Sequence, residues 1–196
     1  KGEAESISRD LVLHMKGEWV EAFNDPHVIA GQGTVALELL SQVSDLDVIL
    51  GPIGGGGLVS GSSLAAHGMS SKIRIYACEP AGALDAMYSV QKNQIVPQNH
   101  PQTIAEGLRT SVGSLTLPIL REHLAGFFVV EEEEIVQAMR FVYERIKLII
   151  EPASAVAIAP LLRQERALQN KRVGVIISGG NVDVSTYFKN ILDHMR

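Results

Sequence analysis

The 196-residue chain predicts an α/β fold, an open parallel sheet flanked by helices. Three observations carry that expectation. Apolar runs at residues 47–53, 73–80, 127–130 and 172–178 have the length and composition of strands buried on both faces. The segments between them show helical spacing, so strands and helices alternate. One short helix-forming segment separates the first two runs, and a strand–helix–strand crossover of that length joins parallel neighbours with a right-handed turn.

Taken in order, the polar start leads into a helix-like stretch from Leu11 to Met15. WVEAF then reads as a short extended segment, closed by the turn signal Asn24-Asp25-Pro26. VALELLSQV places Val35, Leu39 and Val43 on one helical face, with Thr34 in position to cap it. DVILGPI is the first buried strand, followed at once by four glycines and the helix-like LVSGSSLAAHG. IRIYACEP is the second strand and FFVV the third. EEEEIVQAMRFVYERIKLII predicts a long helix with Ile135, Met139, Val142, Ile146 and Ile149 inward. Its glutamates suit the positive end of a helix dipole, although such a run is mostly a solvated face. RVGVIIS is the last strand, SGGN a turn and VSTYFKNILDHM a closing helix. Neither a repeat nor a low-complexity linker interrupts this rhythm, which reads as one domain.

Composition narrows the function. Seventeen basic and 22 acidic side chains give a net charge of −5, so no global field draws the chain to nucleic acid or anionic lipid. No apolar run is long enough to span a membrane. With no signal-like start, a soluble, cytoplasmic protein is expected. The lone Cys78, set in an apolar strand, reads as a buried structural thiol. Trp19, Tyr76 and Tyr88 are scattered and read as core fillers. The six histidines show no zinc-binding spacing, and no nucleophile elbow is present.

The informative segment is Gly54, Gly55, Gly56 and Gly57 with Leu58, between a buried strand and a helix. Such a loop aims several backbone N–H groups and a helix N-terminus at one anion, so a phosphate site is expected. A flexible turn would need only one or two glycines. The Walker pattern is excluded because Leu58 follows Gly57 and Ser62 follows Gly61, with no lysine at either place. The dinucleotide spacing fails too, at Val59 or Ser60 according to frame. Glu79 nevertheless sits where a dinucleotide fold holds its ribose-binding acid, which keeps an oxidoreductase domain open as an alternative. A non-catalytic phosphate- or nucleotide-binding regulatory domain is another.

GPIGGGGLVSG, with VIAGQGTVALELL before it and EP, EGLRTSVG, EPASAV and SGGNVD after it, resembles the serine racemase and threonine or serine dehydratase family. Those enzymes use pyridoxal 5′-phosphate on the tryptophan synthase β type of fold. The resemblance implies that Gly54, Gly55, Gly56, Gly57 and Leu58 cradle the cofactor phosphate. It places Ser178 on the pyridine nitrogen, Glu151 close to that nitrogen and Gly107 beside the ring. A hydroxyl is too weak an acid to protonate the ring fully, which favours prompt loss of a β-hydroxyl over transamination. Glu79, Ala83 and Asp85 match the spacing at which the racemases hold magnesium or calcium, against the plainer reading of a solvated acidic loop.

The implied reaction takes serine, threonine or a similar β-hydroxy amino acid to a 2-oxo acid and ammonia, or to the other enantiomer. None of the seven lysines lies in the family's S-F-K-type motif, and the asparagine motif that holds the substrate carboxylate is absent. Aligned on the motifs, residues 1–23 are expected to be the remnant of a small domain and residues 24–196 the large one. The chain alone is expected to be inactive, and a homodimer is expected from the family.

Overall fold

The computed structural model describes residues 2–193; Lys1, His194 and the end of the expected closing helix lie outside them. In chain order the elements are α1 (Gly2–His14), α2 (Pro26–Gln42), β1 (Val48–Pro52), α3 (Gly57–Met69), β2 (Arg74–Pro80), α4 (Asp85–Lys92), α5 (Thr116–His123), β3 (Leu124–Val130), α6 (Glu132–Phe141), α7 (Pro152–Ala155), α8 (Ala159–Leu162), β4 (Val173–Val175) and α9 (Val184–Asp193). The strands form one parallel sheet in the order β3-β2-β1-β4, as the alternation of strands and helices predicts.

β1 is buried along its whole length because it is central and covered on both faces. Side chains alternate across a strand, so Val48 and Leu50 join Tyr76, Cys78, Phe128, Val130 and Met139 in one core layer. Ile49 joins Ile53, Val59, Ile75, Ala77 and Leu40 in the layer on the other face. Cys78 is fully buried, and burial pushes its thiol far above the ordinary range, in keeping with a structural role.

Several sequence expectations are corrected. WVEAF forms no strand, and α1 begins well before Leu11. The Asn24-Asp25-Pro26 segment starts a helix: Asp25 caps α2 by accepting from His27 N at 2.7 Å and Val28 N at 3.1 Å, so Thr34 lies inside the helix and does not cap it. The inward face of α2 is Ile29, Gly33, Ala36 and Leu40, while Val35 is exposed. The cause is α3: a Cβ on Gly33 would come within 2.8 Å of Gly61 O, and one on Gly61 would strike Ile29 O, so the two helices pack backbone to backbone.

The expected long helix stops at Phe141, continues as one π turn (Val142–Ile146) and is terminated by Lys147 at φ 65°. Ile146 and Ile149 are therefore exposed, because residues 149–151 must run beside Gly179 and Gly180. β4 is shorter than RVGVIIS implies, which frees Ser178 from the ladder. Tyr76 does fill the core, but Trp19 is only partly buried and Tyr88 is exposed.

Candidate active site at the carboxyl ends of the strands

The glycine loop continues directly from β1 into α3. Gly56 is the N-cap of α3, at φ 90°, and a Cβ there would lie 2.9 Å from Leu120 Cδ1. No side chain caps α3 and no acidic residue stands in its first turn. The first-turn N–H groups of a helix lack intrahelical partners, so the loop presents donors and the positive end of the helix dipole. Thr116 holds the loop from behind, donating to Gly55 O at 2.8 Å while its oxygen accepts from Gly113 N at 2.8 Å.

These donors face a cleft of about 580 Å³ lined by residues 54–58, Trp19, Phe23, Gly107, Glu151 and Ser178. The structure thus brings together, from far-separated segments, every residue expected at the cofactor. Gly107 lies in a 3₁₀ turn (Glu106–Leu108) whose carbonyl would be 3.0 Å from a Cβ on Gly54. Glu151 precedes α7, and its N–H donates to Gly179 O at 3.1 Å, tying EPASAV to SGGNVD. Ser178 Oγ lies 3.0 Å from Ser154 Oγ.

Glu79, Ala83 and Asp85 lie apart from the cleft lining, at the end of β2 and the start of α4. Glu79 is 1% exposed and accepts from Ala86 N at 2.7 Å and Met87 N at 2.9 Å. Burial pushes its carboxyl up to about 8, against those two hydrogen bonds and with a smaller upward push from Asp85. Asp85 is raised to about 6, again chiefly by burial, although Gln98 Nε2 donates to its Oδ1 at 2.6 Å. Its Oδ2 is buried with no hydrogen-bond partner. Ala83 is buried beside them. A carboxylate so engaged by α4 does not serve as a ribose acceptor, which counts against the dinucleotide alternative. Among the described residues no group of three or more His, Cys, Asp or Glu side chains is arranged to hold a metal.

The sequence reading missed Phe23, which lines the cleft, and two residues that brace its surroundings, Asn24 and Ser154. The Phe23 ring covers the loop where a Cβ on Gly55 would stand, and Asn24 Oδ1 accepts from Leu115 N at 2.8 Å. For Phe23 and Asn24 the only sequence signal was their place just before the cap of α2. Among the described residues no lysine lines the cleft; Lys147 Nζ donates to Glu144 O, and Lys92 Nζ lies over the Tyr88 ring. No helix among them is long and apolar enough to cross a membrane.

Residues 2–179 match the family described as pyridoxal-phosphate dependent enzyme. The chain is 46% identical over 191 residues to a serine racemase of Dictyostelium discoideum, covering 94% of this chain and 58% of the racemase. It is 40% identical over 186 residues to the L-threo-3-hydroxyaspartate ammonia-lyase of Saccharomyces cerevisiae, covering 94% and 57%. The crystal structure of the Dictyostelium racemase superposes with a TM-score of 0.84 over 92% of this chain and 58% of that one. Maize serine racemase superposes with 0.86 at 38% identity, covering 97% and 60%. The chain therefore spans somewhat under three fifths of the length of the curated relatives it matches. An uncapped glycine-loop helix at the carboxyl edge of a parallel sheet, and a family match along nearly the whole chain, lead to one assignment: the chain belongs to the family of pyridoxal-phosphate dependent enzymes.

Proposed function

We propose that the chain is the cofactor-cradling part of a pyridoxal phosphate-dependent dehydratase or racemase acting on serine, threonine or a similar β-hydroxy amino acid. The observation that carries this reading is the uncapped start of α3, open to a cleft that also holds Ser178 and Glu151. The residues fit the group: the loop donors and Leu58 N–H would hold the phosphate, Gly107 would leave room for a flat ring, and Ser178 would pair with the ring nitrogen. When bound, the cofactor supplies an electron sink for the charge left after α-proton removal. The Ser178 hydroxyl keeps that sink moderate, which favours loss of a β-hydroxyl. Glu151 borders the same end of the cleft. The Phe23 ring lies against the loop and would shield a bound phosphate from water. A serine racemase and a hydroxyaspartate ammonia-lyase among the similar proteins support the substrate class.

With no lysine lining the cleft among the described residues, the chain by itself binds the cofactor without turning substrate over. Residues 1–23 belong with a small domain and 24–196 form the large one. The exposed Phe141, Tyr143, Ile146, Leu148 and Ile149 offer an apolar surface for a homodimer. The orphaned Asp85 Oδ2 beside Glu79 suits Mg²⁺ or Ca²⁺, which take oxygen ligands. The test is ligand-dependent melting: pyridoxal phosphate at a hundred times its Kd should stabilise the fold by about 2.7 kcal/mol, and NAD should not. The reverse pattern sinks the reading. Ammonia release from serine or threonine by mass-verified chain plus cofactor would show that the chain is itself a catalyst.

A further inference from the structure

Ser154 is fully buried, yet three polar atoms converge on its hydroxyl. Gly179 N donates to Ser154 Oγ at 2.7 Å, Ser154 Oγ is placed to donate to Gly179 O at 2.8 Å, and Ser178 Oγ lies 3.0 Å away as donor or acceptor. A serine hydroxyl has one proton to give and two lone pairs with which to accept. Gly179 N–H fills one lone pair. Gly179 O already receives the Glu151 N–H at 3.1 Å, so it is satisfied without Ser154.

Two proton arrangements remain. If Ser154 gives its proton to Gly179 O, the Ser178 proton goes to the remaining Ser154 lone pair and only Ser178 lone pairs face the cleft; turning that proton to the cleft instead would set the two hydroxyl oxygens lone pair against lone pair at 3.0 Å. If Ser154 donates to Ser178 Oγ, the backbone groups stay paired and the Ser178 proton is directed into the cleft. An unprotonated aromatic ring nitrogen is an acceptor, so only the second arrangement pairs with it; the first sets lone pair against lone pair.

We propose that Ser154 is a positioning residue: by donating to Ser178 it fixes that hydroxyl as a hydrogen-bond donor toward the neutral ring nitrogen of a phosphorylated N-heterocycle. The proposal rests on the reading of the cleft as a pyridoxal phosphate site. It assigns the ring-nitrogen contact to a two-hydroxyl relay whose buried end never touches the ligand.

The experiment compares two probes, pyridoxal 5′-phosphate and its analogue with CH in place of the ring nitrogen. Each is titrated into the full chain and followed by the fluorescence of Trp19, the chain's single tryptophan, which lines the cleft. Ser154→Ala should weaken pyridoxal phosphate about fivefold, the value of one net neutral hydrogen bond, and leave the analogue's Kd unchanged. Ser178→Ala should remove the parent protein's preference for the nitrogen-bearing ligand. Ser154→Cys, close in volume and a weak donor, should behave as Ser154→Ala does and serves if the alanine variant does not fold. Equal weakening of both ligands, or of neither, overturns the proposal, since a packing role cannot distinguish nitrogen from carbon. A parent protein that binds both ligands equally overturns the ring-nitrogen contact itself. One that binds neither overturns the reading of the cleft.

Discussion

Two helices begin side by side at the carboxyl edge of the sheet, and they treat their N-termini in opposite ways. α4, after β2, has its acceptor built in: the Glu79 carboxyl group receives Ala86 N–H and Met87 N–H. α3, after β1, has neither a capping side chain nor an acidic residue in its first turn. First-turn donors need acceptors and the dipole favours negative charge; α4 finds its acceptor within the chain, whereas α3 is left with open donors. The same backbone physics leaves one terminus satisfied within the chain and the other open, and the difference lies in whether a carboxyl group is within reach.

The largest expected effect comes from closing α3. Gly56→Val combines a left-handed conformation with a Cβ against Leu120 and Thr116, and should cost about 3 kcal/mol of stability. Denaturant unfolding and pyridoxal phosphate titration should show the loss together; unchanged affinity would mean that the loop is not the cradle.

At α4 the test is pH, in chelator so that no cation intervenes. Glu79 and Asp85 titrate higher in the folded protein, at about 8 and about 6, than their ordinary values of 4.5 and 3.8. The folded state therefore holds protons that the unfolded chain has released, and stability should fall as pH rises from about 4 to about 8. Glu79→Gln should flatten the part of that fall between pH 6 and 8, read by urea unfolding at several pH values. A fall of the same steepness in the variant would show that Glu79 is not its source. Calcium should raise the melting temperature more at pH 8 than at pH 5 if the Asp85 corner takes a cation.

Next in size, inorganic phosphate should raise the melting temperature of the parent protein, through the open terminus of α3. It should not raise that of Gly56→Val, and equal shifts would place the phosphate elsewhere. The smallest effect is expected at α2, whose cap is an ordinary side chain. Asp25→Ala should cost about 1 kcal/mol, a shift of a few degrees, and leave ligand affinity alone.

Much of the fold was legible because its signals are local. A continuous apolar run marks a strand buried on both faces, and four glycines before a helix mark a tight strand-to-helix loop. The faces of α2 and the end of α6 were not legible for a common reason. Ile29 and Gly33 face inward because Gly61 of another helix lies against them, and α6 unwinds after Phe141 because residues 149–151 must meet Gly179. A periodicity reads one helix at a time and contains no information about its neighbour. Phe23 and Asn24 escaped notice for the same cause, since their partners lie tens of residues away.

The sequence by itself determined the alternation of strands and helices, the parallel sheet, the net negative charge and the position of the glycine loop, since each depends on spacing or composition. Only the tertiary structure decided that Glu79 would cap α4 while α3 stayed open, and that Ser154 would stand behind Ser178. Those outcomes depend on which hydrogen-bonding groups meet across the sheet edge, and burial leaves each group no partner but the one that folding brings to it.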